Sequence, residues 1–153
     1  MEYLVTYGWA LLALFVVVAY LISSGVFSAN SFASQECVFQ PDLPCSSSIL
    51  YKSGSDTKLE FSLTNGLGFP IDVESVVYSL PGFAPQTGLP KVDREYASGE
   101  KIEFSHVFTG GSQPQPRDFR TVTATLKYLN CRNSPCSGPY MTSGRISAIV
   151  EEG

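Results

Sequence analysis

Two patterns of apolar and polar positions divide the chain. From Tyr3 to Gln35 there is no Asp, Glu, Lys, Arg or His, and the centre of this stretch, Ala10 to Ile22, is apolar at every position. A surface helix shows one apolar stripe, so a segment apolar all round has to be enclosed by lipid or by other protein. Roughly 20 helical residues cross a hydrocarbon core of about 30 Å, and Tyr3 to Phe27 has that length without a charge or a proline. Tyr3, Tyr7 and Trp9 gather at its start, where amphipathic rings favour a membrane–water boundary. After Ile22 the residues become small and polar, yet no proline occurs before Pro41. The helix is therefore expected to continue to about residue 30–34.

From Ile49 the period changes to two. Lys58–Thr64 and Lys101–Phe108 alternate, Phe119–Leu129 sets Val122, Ala124, Leu126 and Tyr128 on one face, and Pro70–Tyr78 and Gly144–Val150 read as further strands, with turn signals between them. Ile49–Tyr51 and Lys91–Arg94 read as short edge strands. Six to eight strands at such spacing predict a β-sandwich that is immunoglobulin-like in the loose sense. The expected class is α+β: residues 1–34 form a long hydrophobic N-terminal helix, and residues 35–153 form an all-β immunoglobulin-like sandwich.

Charge follows the same division. Of 153 residues 16% are charged, against about 25% in a typical soluble protein. All ten Lys and Arg and all the acids except Glu2 lie from Glu36 onward. A net charge of −4 with no basic run excludes an electrostatic nucleic-acid binder. A cleaved secretory signal needs a basic start and an apolar region of about 7–15 residues, and this segment has neither.

Four cysteines, Cys37, Cys45, Cys131 and Cys136, lie outside the apolar segment. They can pair in three ways. Both near pairs flank short loops, which cost least entropy to close, so two local disulfides are the simplest pairing. The intervals match no common zinc pattern, and no His lies nearby in sequence. Disulfides in turn place this part of the chain outside the reducing cytosol.

Catalytic chemistry finds little to use. The single histidine, His106, shares a strand face with Phe104 and Phe108 and reads as a packed or rim side chain. Asp72 with Glu74 and Glu100 with Glu103 read as solvated strand faces. Gly110–Gly111 lacks the Lys-Ser/Thr and helix of a phosphate cradle. The chain is expected not to be an enzyme and to take no cofactor or metal.

The opening Met1-Glu2-Tyr3-Leu4-Val5-Thr6-Tyr7-Gly8-Trp9-Ala10-Leu11-Leu12 resembles the start of archaeal type IV pilins of the class III signal type. In that family a short basic leader ends before a glutamine, and a glutamate leads into a Tyr-Leu-x-Thr-Tyr-Gly-Trp-Ala stretch. The likeness covers about the first 25 residues and implies a mature or trimmed chain. It implies a structural subunit, a major pilin, of an extracellular pilus-like filament, used for adhesion. Its partners would be copies of itself, the membrane before assembly, a prepilin peptidase and the pilus assembly machinery. The assembly surface would be Glu2, Tyr3, Tyr7, Trp9, Leu11, Leu14, Phe15, Val18 and Ile22. Glu2 would meet the amino terminus of a neighbouring subunit, because a carboxylate at the edge of an apolar core is costly unless paired. The lesser reading is that it only caps its own helix, worth about 0.3–1 kcal/mol. A single-pass membrane-anchored binding or sensing ectodomain is the alternative, and an archaellum filament subunit ranks third.

Overall fold

The computed structural model describes residues 2–26 and 34–153, with side chains from Tyr7 onward in the helix. The chain divides into two compact units, Met1–Ala33 and Ser34–Gly153.

In the first unit the described residues form one helix, α1 (Glu2–Ser23), of 22 residues. It stops well short of residues 30–34. The Ser24 and Gly25 amides donate to the Tyr20 and Ile22 carbonyls, 2.8 and 3.2 Å away, and the Ser24 hydroxyl donates to Leu21 O at 2.9 Å. Gly25 then takes φ +72°, the left-handed conformation that closes a helix and that glycine adopts without a Cβ penalty. The small polar residues after Ile22 thus supply a stop, where propensity alone had suggested a softer continuation. Part of the expected continuation, residues 27–33, lies outside the described residues. The long N-terminal helix is thereby corrected to a short one. The side chains of α1 are described only from Tyr7 to Ser23, and among the described residues no helix is long and apolar enough to cross a membrane, so the transmembrane span expected from the uncharged run is not found.

The second unit is β-rich, and strands make up about half of the whole chain. Its strands are β1 (Glu36–Val38), β2 (Cys45–Ser53), β3 (Asp56–Thr64), β4 (Ile71–Ser79), β5 (Gln86–Gly88), β6 (Glu95–Tyr96), β7 (Lys101–Phe108), β8 (Phe119–Asn130), β9 (Ser137–Ile149) and β10 (Glu151–Glu152). The larger sheet runs β1-β9-β8-β4-β5, with β6 also on β4, and the smaller runs β10-β2-β3-β7. The expected plan of a long helix ahead of an immunoglobulin-like sandwich gives way to a short helix and this two-sheet β unit. Lys91–Arg94 is not a strand. Pro90 makes an isolated bridge to Phe104, and Lys91 N–H donates to Glu103 O at 2.8 Å, so the segment guards the free edge of β7.

Alternation sets the core. On β3, Leu59, Phe61 and Leu63 turn inward while Lys58 and Glu60 face out; on β8, Val122, Ala124, Leu126 and Tyr128 turn inward. Rings join the two sheets: Phe61 stacks on Phe104 at 4.7 Å between centroids and meets Tyr78 of the larger sheet edge-on at 6.3 Å. Asn65, which the sequence offers only as a turn signal with Gly66, is fully buried. Its amide nitrogen donates to the Phe69 and Tyr96 carbonyls and its oxygen accepts from Leu67 N–H. It pins the passage between β3 and β4 from inside.

Candidate functional site

On α1 the described residues of the expected assembly surface, Tyr7, Trp9, Leu11, Leu14, Phe15, Val18 and Ile22, are all exposed in the single chain. Trp9 reaches 75% and Phe15 68% of full exposure, and the opposite face, with Leu12, Val16 and Tyr20, is equally open. No face of the described helix is polar enough to be a natural solvent side. The side chains of Glu2 and Tyr3 lie outside the described residues.

The cysteines form two bridges, Cys37–Cys45 and Cys131–Cys136. The first does more than close a loop. Cys37 sits on β1 of the larger sheet and Cys45 opens β2 of the smaller, so one bond ties the two sheets together. Between them Leu43 enters the core and Phe39 stacks on Phe61 at 5.8 Å. Gly144 makes room for that ring, since a Cβ there would overlap Phe39. The second bridge closes the β8–β9 corner. Its sulfurs lie within 4.8 Å of a Glu95 carboxylate oxygen, but both are spent on each other and offer no thiolate to a metal.

His106 is half-buried. Its ring stacks on Tyr78 at 4.3 Å and meets Phe108 edge-on at 4.9 Å. Burial holds its pKa below the ordinary value. Gln86 donates through Nε2 to the Thr109 carbonyl, so its Oε1 faces His106 Nε2 at 3.0 Å and that nitrogen carries the proton. Nδ1 then points toward Gly88. The imidazole is a wedge between the sheets and, among the described residues, faces no charged group that would tune it as a base. Among the carboxylates read as solvated, Glu100 accepts from Ala97 N–H at 2.8 Å and pairs with Arg94. The backbone hydrogen bond, followed by Arg94, holds its pKa below the usual carboxylate range. Glu74 pairs with Lys127 at 2.8 Å.

One site was not singled out by the sequence. On the outer face of the smaller sheet a depression of about 150 Å³ is lined by Ser47, Glu60, Ser62, Lys91, Lys101 and Glu103, with Ile49 at its rim. Strand register assembles it: Ser47 lies opposite Ser62, and Ser62 opposite Glu103. The Ser47 and Ser62 hydroxyls are 2.7 Å apart, and Ser62 is buried. Glu60 Oε1 is held by Lys58 at 2.9 Å and by the Tyr51 hydroxyl at 3.3 Å; the Lys58 contact is the chief reason its pKa is lowered. Lys91 Nζ stands 3.8 Å from Glu60 Oε2 and 3.9 Å from Glu103 Oε2, while Lys101 lies 3.5 Å from Glu103 Oε1. The alternation of Lys58–Thr64 and Lys101–Phe108 marks which side chains face out. Their meeting depends on the pairing of β2, β3 and β7, which the sequence does not display.

No family model, no curated protein and no solved structure matches the chain.

Proposed function

We propose that the chain is a structural subunit of an extracellular type IV pilus-like filament. Copies of α1 bundle into the filament core, and the β unit forms the outer layer that meets surfaces. The observation that carries this reading is the helix surface: bulky apolar side chains exposed around its whole circumference. Each such side chain gains about 1.5–3 kcal/mol when fully buried, so the helix gains most from neighbours on all sides. Repeating head-to-tail contacts that do not close give a helical fibre rather than a ring. The two disulfides are compatible with an extracellular protein.

The test compares sheared filaments with cell-associated subunit at equal expression. Wild-type chain is expected in filaments visible by electron microscopy. Glu2→Gln is expected to leave the β unit folded and to lose most of the filament yield, since the neighbouring amino terminus is left without its carboxylate. A wild-type chain that never leaves the membrane fraction would establish an anchored ectodomain instead.

A further inference from the structure

The geometry of the outer-sheet depression points to a binding site for a neutral hexopyranose, a single sugar ring held by hydroxyl contacts. The observations are in the β unit alone and do not rest on the filament reading.

The four charges lining the depression cancel, Lys91 and Lys101 against Glu60 and Glu103. An ionic ligand would break one existing pair for each that it made. A ligand whose groups both donate and accept meets a different situation. Lys91 Nζ lies 3.8 and 3.9 Å from its two carboxylates, beyond hydrogen-bond reach. Lys91 and the Oε2 atoms of Glu60 and Glu103 thus keep donor and acceptor capacity while already held near one another. A hydroxyl placed between them accepts from the ammonium and donates to a carboxylate, so both charged groups gain a hydrogen bond without being separated. Vicinal hydroxyls on a ring repeat that pattern at adjacent positions.

The floor and rim complete the fit. Only one hydrogen can lie between the Ser47 and Ser62 oxygens, 2.7 Å apart, so the other hydroxyl hydrogen is free to donate upward. Ile49, 38% exposed, offers an apolar contact for the C–H face of a ring. The volume of about 150 Å³ is well below the ~300 Å³ at which drug-sized pockets begin, which suits one ring. A second hollow of about 200 Å³ shares Lys91, Lys101 and Glu103 and continues past Arg94, so the next unit of a chain has a place to lie.

The experiment follows backbone amide shifts by NMR in the full chain, held in lauryldimethylamine oxide micelles that contain no sugar. The methyl glycosides of glucose, mannose and galactose are titrated separately. At least one is expected to shift Ser47, Ser62 and Glu103 with a dissociation constant in the millimolar range. Lys91→Met and Glu103→Gln are each expected to weaken it about tenfold, the loss of one hydrogen bond to a charged group. Thr123→Ala, on the other sheet, is expected to leave it unchanged. No shift up to ~100 mM with any of the three glycosides, or unaltered binding to Lys91→Met, would overturn the assignment. Tighter binding of an acidic sugar such as N-acetylneuraminic acid would overturn the neutral class.

Discussion

The imidazole of His106 lies nearly parallel to the phenol ring of Tyr78, 4.3 Å away, and so joins a strand of the smaller sheet to one of the larger. Behind this contact the Tyr78 hydroxyl is buried with no hydrogen-bond partner among the described residues, and burial raises its pKa. Gly88 is what lets β5 pass so close, because a Cβ there would fall 2.9 Å from the Tyr78 ring.

Acidification should weaken this junction. The ordinary pKa of His106 is 6.5, and burial lowers it in the folded chain. The unfolded state therefore takes up the proton first, and the neutral ring contributes stability above about pH 6.5. That contribution is lost as pH falls from there through the folded pKa. The neighbours Tyr78, Gln86, Gly88 and Phe108 carry no charge to hold an imidazolium. Thermal unfolding of the wild type should show a decline in this window, absent in His106→Phe. A second decline below pH 4.5 should persist in both, because Glu60, Glu100 and Asp118 have lowered folded pKa values.

Tyr78→Phe should leave stability unchanged or raise it by up to about 1 kcal/mol. It removes a buried hydroxyl that has no partner among the described residues and keeps all three ring contacts, with Phe61, His106 and Phe108. Urea midpoints at pH 7.5 measure this. A loss above about 1 kcal/mol would mean that the hydroxyl has a partner after all.

Gly144→Ala should cost about 1–3 kcal/mol through overpacking. The new methyl group meets Phe39, whose stack on Phe61 plugs the gap between the sheets. The effect should shrink in a Phe39→Ala background, where the obstructing ring is gone. The double-mutant cycle reads that coupling directly.

The two disulfides should contribute unequally. Replacing both Cys37 and Cys45 by Ala should cost about 2–4 kcal/mol, since it frees the tie between the sheets together with the Leu43 and Phe39 loop. Replacing Cys131 and Cys136 should cost less, because that bridge closes a shorter loop at a β8–β9 corner already held by the ladder. Paired denaturation curves of the two double variants give the order.

Much of the β unit was legible because its information is local. Leu59, Phe61 and Leu63 alternate with Lys58, Glu60 and Ser62, and that alternation alone states which faces turn inward. What stayed hidden depends on partners remote in the chain. β9 begins at Ser137 rather than near Gly144, because Ser137–Ser143 gains its hydrogen bonds from β8, and its only large apolar residues, Tyr140 and Met141, are adjacent and give no period of two. β5, β6 and β10 are two or three residues long, too short for any period. The helix end failed differently: Ser23, Ser24 and Gly25 permit both a soft helix and a stop, and the positive φ of Gly25 decides between them. The sugar-sized depression was invisible because Lys91 reaches Glu60 and Glu103 only through the Pro90 bridge and the register of β3 with β7.

The Cys37–Cys45 bond also determines how a pull would spread. The chain enters the β unit at Ser34 and passes into β1, which holds to β9 by only three residue pairs, Glu36–Ser147, Cys37–Ile146 and Val38–Arg145. A ladder that short, loaded from its end, would peel open like a zip. The sulfur bridge lies one residue inside its first pair and hands the tension to β2, which is flanked by β3 on one side and β10 on the other. Tugging on the N-terminal end therefore loads both sheets at once, and the strand beside the entry point cannot be stripped past residue 37 while the bridge is intact.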